Sequence, residues 1–182
     1  EEEVLRRREA GFLGVGEIFP SGQGWSLTDL RQTWPLAGAC FETGMALLIH
    51  TAEPVGHAYP GKGSDGPREA ATFCEHHPEV TVIFAHWGGG LWLYELMPEM
   101  KIILENAWYD TAATPFLYTP EAASAAWAAG VGKKILYGSD FPLLGRDRYD
   151  RMWDKIPWGP EERRGLMGGN AETLRRRLVD FR

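Results

Sequence analysis

The chain has 182 residues, 44% hydrophobic, with eight Trp, eight Phe and six Tyr, which excludes a disordered protein and allows one ordinary domain with a substantial core. Its formal charge of -6 argues against nucleic acid or an anionic membrane as the main partner. No apolar run approaches the roughly 20 residues of a spanning helix and no leader pattern opens the chain, so a cytoplasmic location is the default expectation.

Glu1 to Gly11 reads as the tail of a charged helix stopped by Gly11, which predicts a chain that begins inside a fold. Phe12 to Pro20 contains a short strand that ends near Glu17. Ser26 to Thr43 is a helix, capped by Ser26 or Thr28 and closed by Gly44. Met45 to Ile49 is a second strand, apolar throughout as a buried parallel strand is, and it ends at His50. The segment to Gly66 is too polar and too broken for regular structure, yet it carries Glu53, His57, Tyr59 and Lys62. Loops of this length are commonly functional. Cys40 and Cys74 have no metal-ligand spacing and read as buried free thiols.

Pro67 to His76 is the next helix, with His76 and His77 expected at the surface of its end. Val80 to Ala85 is a third strand ending at His86, followed by Trp87, three glycines and a short helix over Leu91 to Met97. A fourth strand lies around Asn106 to Asp110, an alanine-rich helix runs to Ala129, and a fifth strand over Lys134 to Tyr137 leads into Asp140. Asp147 to Lys155 and Glu161 to Leu178 are closing helices, with Arg163, Arg164 and Arg175 to Arg177 on solvated faces.

Strand, loop and helix thus repeat five times, which means a parallel sheet with right-handed crossovers. An open doubly wound sheet and part of a (β/α)8 barrel both fit. No GxGxxG or GxxxxGK[ST] follows a strand, and polar residues gather at the strand ends, so the barrel is favoured. A complete barrel takes about 250 residues, so this one would be incomplete, a single partial domain over residues 1–182.

His50, His86 and Asp140 each close a different strand. A lone strand-end histidine is commonly a hydrogen-bonded core residue, but three such ends in one chain point to a shared site. Neutral imidazoles and a carboxylate suit a divalent ion, Zn²⁺ first and Fe²⁺ or Mn²⁺ as alternatives, and such an ion brings the pKa of bound water near neutrality. Glu17 repeats the pattern as a further ligand, a residue orienting a histidine, or a backbone cap. His57, Tyr59 and Lys62 could clamp a substrate carboxylate or carbonyl, with Glu53 beside them, or only anchor their own loop; Trp87, Trp92 and Tyr94 could wall an apolar substrate, with core or interface packing the other reading of Trp92 and Tyr94. Asp110 is expected to make a turn bond, a substrate bond or a bond to a ligand residue.

GVGEI, LLIHTAEPVGHAYPGKG, IFAHWGGGLWLYELMPE, YDTAATPFLY, ILYGSDFPLL and the closing GGNAETL together resemble the amidohydrolase-related family (amidohydrolase 2 type) of the metal-dependent amidohydrolase superfamily. The resemblance implies a TIM-barrel fold of which this chain holds about five C-terminal βα units, strands four to eight. His50 matches the ligand after strand five, His86 the base or ligand after strand six, and Asp140 the carboxylate ligand and proton carrier after strand eight. The family's first-strand His-x-His pair is missing here, which implies weak metal binding and an exposed sheet edge that invites dimerisation. The implied activity is metal-dependent hydrolysis of a small amide, ester or lactone by metal-activated water. Nonoxidative decarboxylation of an aromatic or unsaturated acid is the alternative, and a catalytically inactive relative a third.

Overall fold

The structure, a computed structural model, describes residues 1–181. Its centre is one sheet of five parallel strands: β1 Gly14–Ile18, β2 Ala46–Ile49, β3 Val82–Phe84, β4 Ala107–Asp110 and β5 Ile135–Leu136. Each strand pairs with the next in sequence, so the spatial order is β1-β2-β3-β4-β5. A doubly wound sheet reverses its order at a switch point, whereas a barrel wall does not. This is an incomplete barrel of TIM type.

Helices α1 Glu2–Glu9, α3 Leu30–Thr43, α4 Pro67–His76, α7 Glu121–Ala128, α8 Arg146–Trp153 and α10 Asn170–Val179 fall within or close to the segments read as helical in the sequence. The short helices α2 Pro20–Gln23, α5 Pro98–Ile103, α6 Thr114–Leu117 and α9 Pro160–Arg164 complete the set. The α3 cap is neither Ser26 nor Thr28. Asp29 caps it, accepting from the Arg31 N–H, while the hydroxyls of Ser26 and Thr28 lie 3.0 Å apart. The closing helix is also broken, since Gly168 takes a φ of 142° between α9 and α10. The helix expected over Leu91 to Met97 is a 3₁₀ segment ending at Leu96, entered through a left-handed stretch.

Alternate strand residues face opposite ways. Leu47, Ile49, Val82, Phe84, Ala107 and Tyr109 join the main core under the helices, with Phe73, Trp87, Tyr149 and Trp153. On the other face Leu174 and Leu178 of α10 pack with Ala46, Trp108 and Leu136. Cys40 and Cys74 are free and buried. His77 corrects the surface expectation for the His76-His77 pair: it is 5% exposed, stacks against Phe73 and pairs its Nε2 with Thr33 Oγ1 at 2.8 Å. Among the described residues no helix is long and apolar enough to cross a membrane.

Candidate metal centre

The carboxyl ends of the strands open on one cavity of about 650 Å³. Glu17 reaches it from β1 because the strand carries one extra residue: Val15 pairs with Leu47 and Ile18 with Ile49, so three steps on β1 match two on β2. Such a bulge re-aims a side chain. Gly16 permits it, since a Cβ there would stand 2.6 Å from both Cβ and O of Leu48.

His50 follows β2 directly. Its Nδ1 lies 3.0 Å from Glu17 Oε1, and its Nε2 lies 3.2 Å from the Lys62 carbonyl. His86, two residues past β3, repeats the arrangement with the nitrogens exchanged. Its Nδ1 faces the Ala112 carbonyl at 3.2 Å and its Nε2 lies 3.5 Å from the same Glu17 oxygen. When neutral, each ring therefore donates its outer N–H to a backbone carbonyl and turns its inner lone pair toward Glu17. Outer-shell anchoring of this kind fixes the tautomer a metal ligand needs.

The three ligand atoms lie within 4.8 Å of one another. One carboxylate oxygen and two imidazole nitrogens with open positions fit a divalent ion such as zinc, manganese or iron. Hydrogen bonds from His50 and then His86 pull the Glu17 carboxyl down to about 2. Burial alone would lower the His86 pKa; the bond to Glu17 and the charge of Asp110 outweigh it and raise it to about 9.

Asp140 lines the same cavity but stands outside this three-residue cluster. Backbone strain marks the same place. His86, Trp87, Ala113 and Asp140 are non-glycine residues with φ between 56° and 62°, and three of these four line the cavity. Residues held there cluster at functional sites. His57 and Tyr59 line the cavity as well.

Five expected substrate contacts fall elsewhere, among them Trp92, which is buried, and Tyr94, which lines a second cavity. Trp87 is fully buried, and its Nε1–H donates to Thr114 Oγ1 at 2.8 Å, so it is a core residue and not a substrate wall. The left-handed run from His86 to Gly90 turns it inward. Lys62 spends its ammonium on the carbonyls of Val55 and His57, tying its own loop. Glu53 accepts from Tyr59 at 3.3 Å, and with Lys62 it lines a separate cavity across the loop. The cavity walls that sequence reasoning missed are Phe19, Phe116, Leu117 and Leu143. Their signal was an apolar residue a few positions past each strand end, in IFP, TPFL and DFPLL.

The sequence profile of the amidohydrolase family matches residues 1–176. The chain belongs to the amidohydrolase family. No curated protein matches it significantly. Similar solved structures include a 5-carboxyvanillate decarboxylase from Sphingomonas paucimobilis, 14% identical with a TM-score of 0.76 over 96% of this chain and 62% of that one. A 2,6-dihydroxybenzoate decarboxylase from Rhizobium is 18% identical, with a TM-score of 0.69 over 99% and 67%. A dihydroxybenzoic acid decarboxylase from Polaromonas, solved with manganese and the inhibitor 2-nitroresorcinol, is 16% identical, with a TM-score of 0.64 over 86% and 58%. At these identities the likeness shows the fold. This chain spans between about half and two thirds of the length of these similar structures.

Proposed function

We propose that this chain forms the metal-holding part of a metal-dependent decarboxylase acting on an aromatic or unsaturated acid. The observation that carries the reading is the cavity wall. Phe19, Tyr59, Phe116, Leu117 and Leu143 surround the space in front of Glu17, His50 and His86. Aromatic and branched apolar side chains suit a flat ring and exclude water from it. The decarboxylases among the structures of similar fold support the same choice.

Glu17 Oε1, His50 Nδ1 and His86 Nε2 would hold the ion, which supplies positive charge for a substrate carboxylate or neighbouring phenolate. The walls hold the ring against that charge. Asp140, on the same cavity, carries the proton. The bond between ring and carboxyl carbon breaks, its electron pair stays on the ring carbon, and carbon dioxide leaves. A solvent proton relayed by Asp140 then takes the vacated position.

A second reading, hydrolysis of an amide, ester or lactone with His86 or Asp140 taking a proton from water, draws on the openness of Glu17, whose side chain is 35% exposed. To separate the two, the zinc- or manganese-loaded protein is offered hydroxybenzoates and, in parallel, amides, esters and lactones. Carbon dioxide release that D140N abolishes supports decarboxylation. Hydrolysis alone supports the second reading, and a protein that takes up no metal sinks both.

A further inference from the structure

We propose that Asp110 is the positioning residue of His86, holding its backbone directly and its ring through Ala112. Asp110 ends β4, whose residue Tyr109 pairs with Phe84 at the end of β3, so its side chain stands beside the turn that carries His86. A single oxygen, Oδ1, accepts the backbone N–H of His86 and that of Ala112, both at 2.9 Å. The Ala112 carbonyl in turn faces His86 Nδ1 at 3.2 Å. These three bonds close a ring that contains His86 twice, once by its main chain and once by its imidazole.

The ring answers two needs of this histidine. His86 takes a φ of 56°, a left-handed conformation that disfavours a residue with a Cβ. Its N–H donates to Asp110 Oδ1 at 2.9 Å, which fixes that main chain in place. The imidazole must also keep Nε2 free toward Glu17, and it does so when Nδ1–H is held by Ala112. Both bonds at Asp110 need an acceptor, not a negative charge. An asparagine carbonyl can therefore take its place.

The inference rests on Glu17, His50 and His86 being a metal centre and is independent of the reaction run there. Its test uses the whole 182-residue chain as D110N and D110A, with Zn²⁺ as the probe. Zinc affinity is measured by competition with a chelator, and the His86 Nδ1–H is followed by nitrogen-15 NMR of the zinc-loaded protein. D110N keeps the affinity and the slowly exchanging Nδ1–H. D110A lowers the affinity by about 10–100-fold and loses that signal. The proposal is overturned if D110A changes neither, or if D110N falls as far as D110A, which would make the charge decisive. Should D110A fail to fold, a folded D110N without the protected Nδ1–H overturns it equally. Failure of the unaltered protein to bind zinc would remove the metal centre itself, a result that both variants leave distinguishable.

Discussion

Nδ1 of His50 lies 3.0 Å from Oε1 of Glu17, although 33 positions separate them in the chain. The bulge in β1 and the carboxyl end of β2 bring them together, and His86 Nε2 reaches the same oxygen. The metal reading stands on that shared oxygen.

Removing either partner should empty the centre without unfolding the chain. H50A and E17Q are each expected to weaken zinc or manganese binding at least tenfold, about 1.4 kcal/mol. Metal content after dialysis, with circular dichroism as the control for folding, checks this. Unchanged metal content in H50A would remove His50 from the site.

Metal binding should release a proton. His86 rises from 6.5 to about 9 in the metal-free protein, and a metal ligand must be neutral. Affinity therefore climbs with pH up to about 9 and flattens beyond it. Calorimetry at pH 7 in two buffers of different ionisation enthalpy reads the proton; equal heats would contradict it. The sign for metal-free stability follows from the same pair. The raised His86 pKa contributes fully below 6.5 and is lost as pH rises through about 9, while the lowered Glu17 pKa contributes above 4.5 and is lost as pH falls through about 2. The pair thus favours the folded state most between 4.5 and 6.5.

Gly89 and Gly90 should respond differently to the same change. Both have positive φ, but a Cβ at Gly89 would stand 2.3 Å from the Ala52 carbonyl oxygen, and one at Gly90 meets open space. G90A should lose about 1–2 kcal/mol from backbone strain alone. G89A adds overpacking against main chain, about 1–3 kcal/mol more. Urea denaturation of the two variants measures the gap, and equal losses would refute the close approach.

Behind the site, Glu95 is buried and accepts from Lys134 Nζ and Tyr109 Oη, both at 2.8 Å. K134M strands that carboxylate and should cost about 3–5 kcal/mol. K134M/E95Q should recover part of the loss, because the stranded charge is gone. Thermal unfolding checks both, and a double variant no better than K134M would show that packing, not charge, is at stake.

Much of this arrangement was legible in the chain. Buried parallel strands are continuous apolar runs, so Met45 to Ile49 and Val80 to Ala85 announced themselves; His50 and His86 followed from where those runs stop, and Asp140 from the end of the shorter run over Lys134 to Tyr137. Glu17 stood out for the same reason, but its reach depends on a bulge that Gly16 only hints at. Trp87 was misread because proximity to His86 in sequence says nothing of direction; five successive left-handed residues send the indole into the core. Lys62 could be read either as a substrate clamp or as an anchor of its own loop, and its bonds to the carbonyls of Val55 and His57 are those of the anchor.

The sequence by itself determined the alternation of strand and helix, the end of the sheet that carries the chemistry, and the residue types found there, because hydrophobic periodicity and strand termini are local properties. Only the tertiary structure decided which of those residues share an ion-sized space. Glu17, His50 and His86 converge while Asp140 stays on the wall, since convergence depends on register, a bulge and a left-handed turn that join segments distant in the chain. It also decided what surrounds them: Phe19, Phe116, Leu117 and Leu143 come from three separate segments past the strand ends and form one wall when the sheet curves.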